Sequence, residues 1–178
     1  MNRRIAIVGA ASSGKSTLAE AAATILDTLW VPEYLREFVD THGRTPVAEE
    51  QYGIACEQVA REEAAERRLA VRGTPAWLIC DTTPLMTAVY SDIYFGGADQ
   101  ALLLLTRTQR YAHTFVTATD IPWVPDGLQR DGTISRADLH RQVLAKLEAF
   151  GVRYTVVYGS VPERVRQLAA KAGPPPAL

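Results

Sequence analysis

Residues 9–16 read Gly-Ala-Ala-Ser-Ser-Gly-Lys-Ser and satisfy GxxxxGK[ST] at every fixed position. The residue types suit one task, holding a polyphosphate. Gly9 and Gly14 let the backbone turn and approach phosphate where a Cβ would collide. Lys15 supplies a point charge for the β- and γ-phosphates, and the Ser16 hydroxyl is a Mg²⁺ ligand type. The nucleotide-contacting set predicted from this octet and its flank is Gly9, Ser12, Ser13, Gly14, Lys15, Ser16 and Thr17. It calls for ATP and Mg²⁺ as cofactors, although nothing in the octet chooses ATP over GTP.

Three other groups of residues carry chemistry. Asp81 ends the apolar run Trp77-Leu-Ile-Cys80. A carboxylate at the end of a buried strand beside a phosphate loop suits Mg²⁺, so Ser16 and Asp81 form the predicted metal pair. The competing reading is a loop acid at a helix start, since Thr82-Thr83-Pro84 follows. Next comes Glu33-Tyr34-Leu35-Arg36-Glu37-Phe38, with an acid able to take a proton and an arginine able to pair with it or touch phosphate. A surface salt-bridge cluster on a short helix accounts for the same residues. Last is the Pro/Gly-rich stretch 120–136, which contains Trp123, Asp126, Arg130 and Arg136. Trp123 either stacks a planar ligand or fills the core. Arg130 and Arg136 either close over a transferring phosphate or are solvated.

These residues need elements to position them. Arg4 to Val8 reads as a buried strand and Lys15 to Leu26 as a helix, the context in which a helix N-terminus faces an anion. Thr28 to Pro32, Ala76 to Asp81, His113 to Thr119 and Arg153 to Tyr158 read as four further strands. A long helix is predicted from an N-cap at Thr45 with Pro46 at its first position, running to about Val71 and stopping before Gly73. Its Glu57/Arg61 and Glu63/Arg67 pairs stand four apart and suit a solvated face. Ala98 to Arg110, Ser135 to Phe150 and Pro162 to Ala172 read as helices. Alternation of this kind implies a parallel sheet covered on both faces. The expected fold is an α/β P-loop NTPase three-layer sandwich with a five-stranded parallel sheet, nucleoside-kinase-like with a lid segment. Residues 1–172 are expected to form a single domain and 173–178 a disordered tail.

The chain of 178 residues has a net charge of −1, which disfavours nucleic acid as a partner. No apolar run is long enough to span a bilayer, so no membrane partner is expected. The N-terminal MNRRIAIVGAASS mimics a signal peptide, but its apolar core is short and the phosphate loop occupies the cleavage region. Cys56 and Cys80 have no metal-ligand spacing and read as buried thiols, which points to the cytoplasm. The sequence assigns no oligomeric state.

The chain has no NKxD, no DxxG after its third strand and no protein-kinase motif set. A small-molecule kinase follows, with a nucleotide-binding regulatory or adaptor module lacking a small-molecule acceptor as the alternative. Glu33, Asp81 and Asp126 all qualify as proton acceptor. GAASSGKST, EYLREF, LICDTT and IPWVPDGLQRDG together resemble the NadR-type nicotinamide-riboside kinase domains and the wider NadR-like P-loop ATPases. The resemblance runs from about Ile5 to about Leu168. It implies ATP-dependent phosphorylation of nicotinamide riboside to nicotinamide mononucleotide, in NAD salvage, with a nucleoside as small-molecule partner. The predicted catalytic set is Lys15, Glu33, Asp81, Arg130 and Arg136, and on the resemblance Lys15, Ser16 and Asp81 would serve ATP and Mg²⁺. Glu33, Tyr34 and Arg36 would lie near the riboside, Trp123 would stack on its cationic ring, and Asp126 would bind ribose hydroxyls. Members often show Asp-Thr-Asp after the third strand, where this chain has Asp81-Thr82-Thr83, a change that bears on metal binding and substrate choice. Bifunctional members carry an adenylyltransferase domain ahead of this one, whereas this sequence is expected to begin at the kinase strand.

Overall fold

The computed structural model describes residues 3–73, 75–122 and 134–176. In chain order the elements are β1 (Arg4–Gly9), α1 (Lys15–Ile25), β2 (Trp30–Val31), α2 (Tyr34–His42), a 3-10 turn (Ala48–Glu50), α3 (Gln51–Arg72), β3 (Leu78–Asp81), α4 (Pro84–Phe95), α5 (Gln100–Thr108), β4 (His113–Thr117), α6 (Arg136–Ala149), β5 (Thr155–Val157) and α7 (Val161–Ala172). The strands lie in the order β2-β3-β1-β4-β5, and every pairing is parallel. This is the expected five-stranded P-loop sheet.

Strand alternation explains the layers. Side chains at i and i+2 share a face, so Ile5, Ile7, Ile79, Phe115 and Val157 meet α1 and α7 on one side through Leu18, Ala22, Val165 and Leu168. On the other side Val8 and Val116 meet α4 and α6 through Met86, Val89, Leu139 and Val143. Leu78 and Cys80 continue that second face onto α3 through Ala65 and Leu69. Both faces of β1 are therefore dry, as its unbroken apolar run requires.

Register sets the working edge. Ile7 stands opposite both Asp81 and Phe115, and Gly9 stands opposite Thr117. The carboxyl ends of β1, β3 and β4 therefore emerge side by side, where ligands of open parallel sheets bind.

Several predicted boundaries move. The long helix does not begin at Thr45-Pro46. Arg44 donates to both carboxylate oxygens of Glu50 at 2.7 Å, and Glu50 accepts the Val47 N–H at 2.9 Å. That clamp holds residues 44–47 outside the helix, and α3 starts only after the 3-10 turn. The second strand shrinks from Thr28–Pro32 to Trp30–Val31, since it pairs on one side only and Pro32 has no N–H to give. A full helix, α4, follows Thr83-Pro84, with Pro84 at its first position. Ser135 caps α6 as predicted, accepting from Asp138 N at 3.1 Å. Glu57 and Arg61 pair at 2.8 Å, as their spacing predicts. The segment expected to be loose begins with a fastened residue, because the Trp77 indole N–H donates to the Gly173 carbonyl at 3.0 Å. Among the described residues, no helix is long and apolar enough to cross a membrane.

Candidate active site

The phosphate loop leaves β1 through Gly9, whose φ of 149° suits glycine. Space decides the residue type as firmly as φ. A Cβ on Gly9 would stand 2.3 Å from Thr117 Oγ1 and 3.2 Å from Ser13 Oγ. The Ser13 hydroxyl donates to the Ala10 carbonyl at 2.7 Å and meets Thr117 Oγ1 at 2.5 Å, so the buried Ser13 side chain braces the loop. Ser12 has a φ of 49°, and Gly14 caps α1 in the left-handed region at 82°. Lys15 is buried, and its Nζ donates to the Ala10 carbonyl at 3.0 Å, which keeps the ammonium curled into the loop. Ser16 is half-buried and Thr17 exposed, both in the first turn of α1.

Asp81 ends β3 beside this loop. It is 1% exposed, and neither carboxylate oxygen has a hydrogen-bond partner among the described residues. Burial pushes its pKa up to about 6 and the Glu33 carboxylate adds to the rise, while Lys15, Ser16 and Arg36 pull it back. Since no hydrogen bond of good geometry reaches the carboxylate, Ser16 acts there as a nearby dipole. Five predicted site residues, Lys15, Ser16, Glu33, Arg36 and Asp81, therefore share one electrostatic neighbourhood drawn from α1, the start of α2 and β3. Two orphaned oxygens facing a hydroxyl and a second acid fit a divalent cation, because an unpaired buried carboxylate is costly without one. The next residue, Thr82, is buried, has a φ of 73°, and its hydroxyl also has no partner among the described residues. A β-branched residue in that region is strained, and such strain gathers at working sites.

Glu33 is buried at the N-cap of α2, yet its side chain makes no capping bond. The Tyr34 N–H is taken instead by Gln58 Oε1 at 2.8 Å, which fixes the start of α2 to α3. The Tyr34 ring lies under the Arg61 guanidinium, 4.4 Å from Cζ to the ring centre. Arg61 also pairs with Glu37 at 2.5 Å. Glu37 and Arg61 make the surface pair, while Glu33 and Arg36 act electrostatically on Asp81.

Behind the loop stand two arginines. Arg136, at the start of α6, donates to the carbonyl of Ser12 at 3.3 Å, to that of Ile121 at 2.6 Å and to that of Thr119. Its hydrogen bonds go to backbone. Arg164 of α7 is 2% exposed and donates to the Ser13 carbonyl at 2.6 Å, the Ala118 carbonyl at 3.2 Å and Asp120 Oδ1 at 2.5 Å. Asp120 Oδ2 accepts the Gly159 N–H at 2.6 Å. Trp123, Asp126 and Arg130 lie outside the described residues.

Over residues 4–164 the chain matches the AAA domain family AAA_28. The chain belongs to that family. This AAA_28 chain is 28% identical over 156 residues to the trifunctional NAD biosynthesis/regulator protein NadR of Escherichia coli strain K12, covering 87% of this chain and 38% of the relative. It thus spans about two fifths of the length of that curated relative. A solved structure of NadR protein in complex with NAD and AMP-PNP superposes with a TM-score of 0.75 at 17% identity, covering 96% of this chain and 49% of that one. NadR protein in complex with NR gives 0.73 at 16% identity, covering 95% and 49%. Deoxyadenosine kinase from M. mycoides gives 0.53 at 16% identity, covering 94% and 97%. The AAA_28 chain is therefore a P-loop nucleotide-binding domain of the NadR type with a kinase-like fold, as the sequence resemblance led one to expect.

Sequence reasoning passed over Arg164, Thr117 and Asp120 as site residues. Thr117 and Asp120 fall at the end of β4, where a local signal existed. Arg164 closes the 158–164 segment after β5, which topology alone assigns to part of the adenine pocket, and nothing local marks it as a brace of the phosphate loop.

Proposed function

We propose that this domain is an ATP- and Mg²⁺-dependent small-molecule kinase whose acceptor is nicotinamide riboside, giving nicotinamide mononucleotide. One observation carries the kinase reading: Asp81 is buried with both oxygens unpartnered, beside a second acid, Glu33, and facing Lys15 and Ser16 of the phosphate loop. A structural ion pair would have consumed that carboxylate. The likeness to NadR protein bound to NR supports the acceptor, and its likeness to the AMP-PNP complex supports ATP.

Ser16 and Asp81 would hold Mg²⁺, which would supply positive charge against the charge developing on the phosphates. Lys15 leaves the Ala10 carbonyl and meets the β- and γ-phosphates. The acceptor oxygen attacks the γ-phosphorus, the bond to the β-bridging oxygen breaks, and ADP departs. The acceptor proton passes to a nearby carboxylate, Glu33 being the buried acid at the mouth of α2. Tyr34 and Arg36 flank the riboside, Trp123 stacks on its cationic ring, Asp126 holds the ribose hydroxyls, and Arg130 covers the transferring phosphate.

The test is an ATP-consumption screen over a nucleoside panel including nicotinamide riboside, with Mg²⁺ and with Lys15→Ala as control. Riboside-dependent turnover that the variant abolishes supports the reading. Tight nucleotide binding with no acceptor-dependent turnover overturns it in favour of a regulatory module.

A further inference from the structure

We propose that Arg136 and Arg164 are positioning residues of the phosphate loop, holding two successive carbonyls from behind so that the N–H groups of Ser13 and Gly14 face the nucleotide. The inference rests on the reading of the octet as a nucleotide site, and not on the choice of acceptor.

The geometry is a matter of peptide planes. In a trans peptide the C=O and the N–H point in opposite directions, and no cis bond occurs among the described residues. The Ser12 carbonyl belongs to the peptide that carries the Ser13 N–H, and the Ser13 carbonyl to the peptide that carries the Gly14 N–H. Arg136 takes the first carbonyl and Arg164 the second, at 3.3 and 2.6 Å. Each N–H is thereby turned to the side away from the guanidinium. A loop free to flip either peptide would present a carbonyl oxygen to phosphate, and like charge would repel. The contact leaves little slack, since a Cβ on Gly14 would lie 3.4 Å from Arg164 Nη1 and 3.2 Å from Ile121 Cδ1.

Both arginines are themselves held by the same short stretch after β4. Arg136 holds the Thr119 and Ile121 carbonyls, and Arg164 holds the Ala118 carbonyl and the Asp120 carboxylate. Residues 118–121 therefore form a rail to which α6 and α7 are pinned, and each helix reaches one carbonyl of the loop from it. Asp120 extends the rail to Gly159, at the end of β5. Arg164 reaches these acceptors from two nitrogens, Nη1 on Ser13 and Nη2 on Ala118 and Asp120, a spread that lysine's one nitrogen lacks.

The experiment measures Mg²⁺·AMP-PNP affinity of the full chain by calorimetry, with folding followed by circular dichroism melts. Arg136→Met and Arg164→Met should each weaken binding by about tenfold or more, because the ligand must now select the right peptide orientation. Arg4→Met removes another buried arginine, one that pairs with Glu62 and Glu66 instead, and should change affinity by less than about twofold. If Arg164→Met does not fold, Arg164→Lys replaces it, since one ammonium cannot serve Ser13, Ala118 and Asp120 together. Folded Arg136→Met and Arg164→Lys that bind within about twofold of the parent overturn the inference. So does an equal loss in Arg4→Met, which would mark a general softening. A parent that binds nucleotide but phosphorylates no acceptor overturns the kinase reading and leaves this inference standing.

Discussion

The hydroxyls of Ser13 and Thr117 meet at 2.5 Å, joining the first turn of the phosphate loop to the end of β4. Thr117 Oγ1 also lies 3.3 Å from the Val8 carbonyl, so it occupies the space where a side chain on Gly9 would begin. Gly9→Ala should lose roughly 2–3 kcal/mol of stability in urea unfolding, part from φ and part from the clash. In a Thr117→Ala background the same change should cost less, because only the backbone strain remains. Strict additivity of the two substitutions would refute the clash.

Lys15→Ala should lower kcat/KM by an amount equivalent to about 3 kcal/mol or more, with the melting curve little altered. Its ammonium is held inside the loop by the Ala10 carbonyl. Phosphoryl transfer that survives within about tenfold would place the working site elsewhere.

The two acids of the site should separate by kinetics. Asp81→Asn removes the better metal ligand, and its loss of turnover should shrink as Mg²⁺ is raised. Glu33→Gln keeps shape and burial but cannot accept a proton, so kcat should fall by about 10²–10⁴ with nucleotide affinity preserved. Near-parental turnover in Glu33→Gln would remove it from that role and leave Asp81 and Asp126.

Glu62 gives a pH signature that is independent of catalysis. It is fully buried among Arg4 at 3.3 Å, the Tyr111 hydroxyl at 3.0 Å and Gln58 at 3.5 Å. Burial outweighs these partners and pushes its pKa up from 4.5 to about 7. Between those values the native chain binds more protons than the unfolded one, so stability falls as pH rises through the window. The total drop is roughly 3 kcal/mol and is complete just above neutrality. Glu62→Gln should flatten that slope in denaturant titrations over about pH 4 to 8. An unchanged slope would mean the carboxylate stays ionised against Arg4.

Trp123→Ala should raise the KM for nicotinamide riboside and leave Mg²⁺·ATP affinity unchanged, since ring stacking acts on the cationic acceptor alone. An unchanged KM would assign Trp123 to packing.

What was legible in the sequence was what is local. The octet, its flanking strand and helix, and the acid at the end of β3 all announce themselves within a few residues, because turn chemistry and strand burial are short-range. The true start of α3 was not legible, since Thr45-Pro46 is a sound cap signal that the Arg44–Glu50 clamp overrides through side chains six apart. The assembly around Asp81 required the register of β1 on β3. The support of the loop by Arg164 required the docking of α7, which no periodicity encodes.

Arg164 and the Ser13 carbonyl that it holds are separated by 151 positions in the chain. A ribosome therefore makes the loop long before it makes the brace. The nascent domain thus carries the right letters for nucleotide long before it carries the right shape, and ATP will recognise it fully only once α7 has emerged and docked. Competence for nucleotide becomes a report that synthesis has passed α7, and a chain cut short within α7 should bind ATP more weakly than the full domain.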